Sequence, residues 1–349
     1  MKKVVYSLVL VMLMVGLLVG CAAPSPAPAP APTPAPAPTP APAPQQTKPV
    51  TFKATVFLPY RPGGRGQEIV DYYKRITERS NGELIIDFKG GAEVIPVFDQ
   101  LEALRSGVID MAWITGGAYQ HLVPETISFS VSELTRMEER QVGFHKYISE
   151  LHNKIGVYYV GRLAGDGFTF MMRQRVDDPY SGFRGLKFGL QGPFWMRFAN
   201  RLGIAPVLVL PAEVYNAIER GVIDGTGVAM WGAYALRYGE VAKFVIDHPF
   251  WVPGASPILI NLNSWNRLPG RLQEVINAEQ LNSEGLMATF MANMVKEERA
   301  NLMKQGVQYI KFAPADAEWY LKASKDAKWE ELLEAAPQSY PKLRETLRK

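Results

Sequence analysis

The run Gly182-Phe183-Arg184-Gly185-Leu186-Lys187-Phe188-Gly189-Leu190-Gln191 is followed by Leu202-Gly203-Ile204-Ala205-Pro206-Val207. Then comes Glu213-Val214-Tyr215-Asn216-Ala217-Ile218-Glu219-Arg220-Gly221-Val222-Ile223-Asp224-Gly225, and together these decide the reading of the chain. Leu186 to Leu190 reads as a strand, with a helix beginning near Pro193. Val207 to Leu210 reads as the next strand, Ala212 to Arg220 as its helix and Val222-Ile223 as the strand after that. Phe168 to Met172 is the strand that enters this unit. Parallel strands joined through helices need right-handed crossovers, and such sheets bind ligands beyond the C-terminal ends of their strands.

The same unit stands earlier in the chain. Thr51 to Leu58 alternates as a strand, and the turn Pro59-Tyr60-Arg61-Pro62-Gly63-Gly64 follows. Gln67 to Arg79 is an amphipathic helix with Ile69, Tyr72, Tyr73 and Ile76 on one face, and Asn81-Gly82 stops it. Leu84 to Phe88 is the second strand, Val97 to Ser106 a helix closed by Gly107, and Val108 to Trp113 a buried strand. Leu104-Arg105-Ser106-Gly107-Val108-Ile109-Asp110 matches Ile218-Glu219-Arg220-Gly221-Val222-Ile223-Asp224 at a separation of 114 residues. Two copies of helix, glycine, two apolar residues and aspartate predict two lobes of like design. The loops expected to face a ligand crevice are Trp113 to Tyr119 and Gly225 to Trp231.

Between and beyond these units, Glu133 to His152 is expected to be one helix, with Leu134, Met137, Val142, Phe144, Tyr147, Ile148 and Leu151 buried. Val157 to Arg162 is a strand; Phe244 to Ile246 and Ile258 to Leu262 read as strands returning toward the first lobe. Leu268 to about Gln305 and Asp316 to Leu333 are helical. The predicted class is α/β: two lobes of mixed sheet flanked by helices, hinged by several chain crossings.

The N-terminus reads as an export signal. Lys2 and Lys3 precede an apolar run from Val4 to Gly20, which is short for a membrane span of roughly 20 residues. Leu18-Val19-Gly20-Cys21 looks like a bacterial lipobox, and Cys21 is the only cysteine in the chain. Residues 1–20 are therefore expected to be a signal peptide, and Cys21 to be the lipidated residue that meets the membrane. From Ala22 to Pro44 proline stands at every even position from 24 to 44. At about 3.1 Å per residue this is a polyproline II spacer of roughly 70 Å. The expected layout is tether 21–48, first lobe 49–167, second lobe 168–246, and 247–349 for crossover strands, a bracing helix and C-terminal helices, part of it returning to the first lobe.

Composition excludes several classes. The formal charge of +4 falls to +2 once Lys2 and Lys3 are removed, which gives no case for a nucleic-acid partner. A single cysteine excludes an internal disulfide. No phosphate-cradling loop, dinucleotide fingerprint or nucleophile elbow is present, so no cofactor is expected. The histidines are His121, His145, His152 and His248, and none is spaced as a metal pair. Asp110 and Asp224 are candidates for loop-fixing rather than for acid–base work, so no catalytic or metal-ligating residue is assigned.

Phe183-Arg184-Gly185-Leu186-Lys187-Phe188, Leu202 to Val207, Glu213 to Ile218 and Gly221-Val222-Ile223-Asp224-Gly225 resemble the core signature of TRAP-type substrate-binding proteins. These are the C4-dicarboxylate-binding receptors of tripartite ATP-independent transporters. The resemblance covers roughly residues 50 to 330. It implies delivery of a small organic acid to a membrane permease, lobe closure on the ligand, and a long helix bracing both lobes.

It also implies an arginine two residues after the motif lysine, gripping the substrate carboxylate as a bidentate fork. Gly189 occupies that position, leaving a bare backbone. Trp113, Tyr119, Phe194, Trp195 and Trp231 in or near the cleft loops point to a ligand with aromatic or apolar bulk. The replacement cation is expected to be Arg173, at the end of the strand entering the second lobe, and next Arg61; Arg162 and Arg175 follow. Tyr60, Thr115, Thr169 and Gln191 complete the expected ligand set. Three rivals stay open: a neutral or zwitterionic solute, a sensor for a signalling kinase, and a secreted enzyme on this scaffold.

Overall fold

A computed structural model describes residues 48–348 except 164, 166, 191, 192, 210–212 and 252–255, with backbone alone at 65 and 193. The expected signal segment, Cys21 and the Pro-Ala stretch lie outside the described residues. Eleven strands are described. They are β1 (Val50–Val56), β2 (Leu84–Phe88), β3 (Met111–Trp113), β4 (Val157–Arg162), β5 (Phe168–Met172), β6 (Lys187–Gly189), β7 (Ala205–Val207), β8 (Gly225–Ala229), β9 (Phe244–Ile246), β10 (Pro257–Asn261) and β11 (Gln308–Ile310). They form one sheet of order β2-β1-β3-β10-β4 and another of order β11-β9-β5-β8-β6-β7.

The two expected β-α-β-α-β units are both present. β1 runs parallel to β2 and β3, and β6 runs parallel to β7 and β8. Each sheet thus places the unit's first strand between its second and third. In the first unit, helix Arg65–Arg79 buries Ile69, Tyr72, Tyr73 and Ile76 on the sheet, as its period requires. It ends where Asn81 and Gly82 take positive φ.

The Val-Ile pairs are turns, not strands. The Ile109 amide donates to the Ala103 carbonyl and that of Ile223 to Ala217, so each isoleucine folds back as a buried plug on its helix. The strands begin after Asp110 and Asp224. Consequently Gly225 to Ala229, expected as a cleft loop, is a strand between β5 and β6. The strand expected from Val207 begins earlier, at Ala205. Pro206 is tolerated because β7 is an edge strand, where an absent N–H breaks no ladder.

Other elements also depart from expectation. The helix expected over Glu133 to His152 is two helices, Arg136–Gln141 and Phe144–Lys154, broken where Gly143 takes φ +78°. Met137 and Val142 are exposed there. β9 pairs with β5 and β11 in the second sheet rather than returning to the first; only β10 returns. The three-residue β11 was too short to show a period.

The expected long helix spans Gly270–Lys304, 35 residues or about 52 Å. Ion pairs fix it at both ends. Fully buried Glu279 meets Arg75 and Arg79 of the first unit's helix at 2.6 Å each, and Glu284 meets Arg140 at 2.7 Å. Toward its C-terminus Arg299 forks onto Asp247, which follows β9, at 2.7 and 2.9 Å.

Candidate ligand cleft

Strand direction places the cleft. β4 and β3 both run antiparallel to β10, so Arg162 at the end of β4 lies at the same sheet edge as the C-terminal ends of β1 and β3. β5 runs antiparallel to β8, so Phe168 at its start lies at the C-terminal edge of β6 and β8. The short link 163–167 therefore joins the C-terminal edges of the two sheets. The link from β9 to β10 joins the same edges again. Two crossovers flank the place where ligands bind in such sheets.

The residues at these edges are half-buried and mainly apolar: Phe57, Tyr60 and Thr115 from the first sheet, and Phe168, Phe194 and Met230 from the second. Trp231 follows β8 in the second sheet but packs among the side chains of the first core, with Phe57 and Trp113. Tyr60 is held from three sides. Its hydroxyl donates to Gln67 at 2.7 Å, its amide donates to Glu93 Oε2 at 3.1 Å, and its ring meets the edge of Phe88 at 5.0 Å. The same Glu93 carboxylate accepts the Gly91 amide at 2.7 Å, and these backbone bonds hold it below the usual carboxylate range. Arg61 beside it is exposed and makes no ion pair among the described residues.

Several expected ligand residues face elsewhere. Arg173 follows β5, and because β5 runs antiparallel to both its neighbours, β8 and β9, this is the sheet edge remote from the crossovers. Its guanidinium lies over Gly221 there. Arg175 is exposed and pairs with Asp177. Thr169 is buried in the sheet and donates its hydroxyl to the Ile246 carbonyl. Tyr119 is fully buried, its hydroxyl 2.9 Å from His152 Nε2. His152 Nδ1 donates to the Ile148 carbonyl at 2.8 Å, which leaves Nε2 to accept from the tyrosine. Burial pushes this imidazole down to about 4, so it is neutral. Gln191 lies outside the described residues.

Trp113 and Trp195 back the cleft rather than line it. Trp113 is fully buried, 4.4 Å from the Phe57 ring, and its indole N–H donates to the Ser256 carbonyl at 3.0 Å. Trp195 packs 5.0 Å from Phe168 and lies directly on Gly227, where a Cβ would come within 2.6 Å of the indole. The space at Gly189 is filled, not open. A Cβ there would meet Ile223 Cδ1 at 2.7 Å and Val209 at 3.4 Å, and the Gly189 carbonyl accepts the Thr226 hydroxyl at 2.8 Å.

Arg162 is fully buried where the first crossover begins. It pairs with Glu139, donates to the Phe129 carbonyl at 3.2 Å and sits 4.5 Å over the Phe129 ring. Burial and neighbouring Arg136 push its guanidinium down to about 10, so it keeps its charge at neutral pH. Arg136 pairs with the same Glu139, leaving two guanidinium groups on one carboxylate. The signal that could have found this cluster was the pair of arginines near Glu139, overlooked because that stretch read as one amphipathic helix.

The fold agrees with what comparison finds. The profile of bacterial extracellular solute-binding protein family 7 matches residues 65–334. The chain belongs to that family. The resemblance to TRAP-type receptors read from the motifs therefore holds. A monocarboxylate 2-oxoacid-binding periplasmic protein of Nostoc is 25% identical over 254 residues, 69% of this chain and 68% of that one. The C4-dicarboxylate-binding periplasmic protein DctP of Rhodobacter capsulatus is 24% identical over 301 residues, 82% of this chain and 85% of that one. Among solved structures, a TRAP periplasmic solute-binding protein of Ochrobactrum anthropi superposes with a TM-score of 0.75 at 17% identity, covering 86% of this chain and 95% of that one. In that crystal a C-terminus occupies the ligand pocket.

Proposed function

We propose that this family 7 receptor binds an organic acid with aromatic or apolar bulk and hands it to a TRAP-type permease, without catalysis. The observation that carries the ligand class is the composition of the joined sheet edges. Phe57, Tyr60, Phe168, Phe194, Met230 and Trp231 offer apolar surface, and Arg61 is a cleft-edge cation without an ion pair among the described residues. Arg61 is the side chain assigned to the carboxylate, with Tyr60 and Thr115 as further polar partners. Lobe closure follows from contacts made by both edges, because a ligand favours whichever state it touches more. The division into lobes at 49–167 and 168–246, and attachment to the membrane through lipidated Cys21, belong to the same proposal.

The test is calorimetric titration of the full chain with phenylpyruvate, pyruvate, succinate and neutral phenylacetamide. Phenylpyruvate is expected to bind most tightly, and Arg61→Gln to weaken it at least tenfold. Equal binding of phenylacetamide would overturn the acid, and tighter binding of succinate would overturn the apolar bulk.

A further inference from the structure

One buried cation stands directly behind the aromatic edge of the second sheet. Lys328, on helix Pro314–Ala335, has a side chain only 2% exposed. Its Nζ donates to the Phe194 carbonyl at 2.8 Å and to Glu331 Oε2 at 2.6 Å. It also sits 3.6 Å from the centre of the Phe194 ring and 4.5 Å from that of Trp251. Phe194 belongs to the segment after β6; Trp251 belongs to the crossover from β9 to β10. The two rings meet edge to face at 4.7 Å, and each also contacts Trp195, at 5.5 and 5.6 Å.

Two further observations mark the place. Trp251 takes φ +45°, a left-handed conformation that a bulky side chain holds only when its surroundings impose it. Its indole N–H donates at 2.7 Å to the Ser324 carbonyl, one helical turn before Lys328. The lysine itself is held against its own preference, since burial pushes it down to about 8. Besides Glu331 on its own helix, Arg197 of helix Met196–Leu202 is the charged group acting on it, and Arg197 is paired to Glu334. Phe194 and Trp251 add no titrating group.

We propose that Lys328 is a positioning residue of the cleft: its ammonium clips the segment after β6 at the Phe194 carbonyl and the second crossover at the Trp251 ring, and so fixes the aromatic edge against which the ligand packs. The ligand part of this inference rests on the cleft reading above; the clip itself does not. A cation between two rings is favoured when desolvated, and the carbonyl bond orients it. Methionine at this position would keep the volume and lose both interactions.

The experiment compares wild type, Lys328→Met and Lys328→Arg as full chains. Hydrogen exchange is followed by mass spectrometry without ligand, and phenylpyruvate affinity by calorimetry at pH 7 and pH 9. Lys328→Met is expected to speed exchange at least tenfold around Phe194-Trp195 and Phe250-Trp251, and to weaken phenylpyruvate at least tenfold at pH 7. Wild type is expected to lose affinity between pH 7 and 9 as the ammonium loses its proton, whereas Lys328→Arg holds its affinity flat. If Lys328→Met fails to fold, the wild-type pH dependence and its absence in Lys328→Arg still decide. Unchanged exchange at both segments in a folded Lys328→Met would overturn the clip. Phenylpyruvate binding that ignores both the substitution and the pH would overturn the role in the cleft. Faster exchange in a protein whose wild type binds no phenylpyruvate would sink the ligand reading and leave the clip standing.

Discussion

Asp110 and Asp224 are bonded alike in the two sheets, yet the strands that follow them are built in opposite ways. The Asp110 amide donates to the Lys53 carbonyl and its carboxylate accepts the Lys53 amide, both at 2.9 Å. Asp224 does the same with Lys187, at 2.6 and 2.8 Å. Each aspartate pins the start of the unit's third strand to its first, midway along β1 at Lys53 and at the start of β6 at Lys187. Three residues later the first sheet carries Trp113 and the second carries Gly227. The first sheet fills that place with its own side chain; the second leaves it empty and receives Trp195 from the segment after β6. One device sets the register twice, and the volume at a single position decides whether the cleft backing is built in or brought in.

The sharpest way to break this comparison is Trp113→Ala. It removes a fully buried indole, and urea unfolding is expected to show a loss of about 3–5 kcal/mol. A loss below 1 kcal/mol would mean that Trp113 is not the counterpart of the Trp195–Gly227 pair.

Next in size is a pH effect on the loops that follow the two strands. The first is tied from within by Tyr119 and His152, the second from outside, where Glu298 of the long helix accepts the Tyr234 amide at 2.6 Å. Unfolded, His152 titrates near 6.5; folded, burial pushes it down to about 4. The unfolded chain then binds more protons between those values, so stability falls as pH drops through that window, by up to about 3 kcal/mol. Burial pushes Glu298 up instead. Acid that protonates it therefore adds stability at the second loop. Urea midpoints at pH 7 and 4.5 are expected to converge in His152→Phe and to diverge further in Glu298→Gln; no change in either variant would remove the contrast.

Gly227→Ala asks whether the empty place is required. Its methyl would meet the Trp195 ring, and overpacking of this kind costs about 1–3 kcal/mol. Unaltered thermal stability would show that Trp195 moves aside freely.

The smallest expected effect separates the two aspartates. Asp110 also accepts the Ser264 hydroxyl at 2.6 Å, and among the described residues no side-chain hydroxyl does the same at Asp224. Asp110→Ala is expected to cost about 1 kcal/mol more than Asp224→Ala in urea unfolding, one further hydrogen bond's worth. The reverse order would break the equivalence.

The repeat itself was legible because a helix, a positive-φ glycine and an aspartate leave a mark in residue type that does not depend on packing. Leu84–Phe88, Val157–Arg162, Phe168–Met172 and Phe244–Ile246 match their sequence reading to the residue, whereas Gly225–Ala229 was expected as a loop because two glycines in its five residues mask any alternation. The three-residue strands β3, β6 and β7 differ from the runs expected at Val108 to Trp113, Leu186 to Leu190 and Val207 to Leu210, since neither alternation nor β-propensity accumulates over so short a run. The site was harder. Arg173 sits on a correctly read strand, yet its end of the sheet depends on the strand's direction relative to β8, and local pattern holds nothing about that. Gly189 looked like open space because a missing side chain says nothing about who fills the volume; Val209 and Ile223 do. Nothing in the sequence around Lys328 distinguishes it from other helical lysines, and only the three-dimensional meeting of Phe194 and Trp251 sets it apart.

The rings at the strand ends carry an optical consequence. Trp113, Trp195, Trp231 and Trp251 each follow the C-terminal edge of a different strand, and they are four of the seven tryptophans in the chain. Four of the molecule's seven indoles therefore lie within a few side chains of the proposed cleft. Trp195 and Trp251 lie close enough, at 5.6 Å, for their transitions to couple. An event at the joined sheet edges therefore reaches four indoles at once, and the intrinsic spectrum gives it an unlabelled readout.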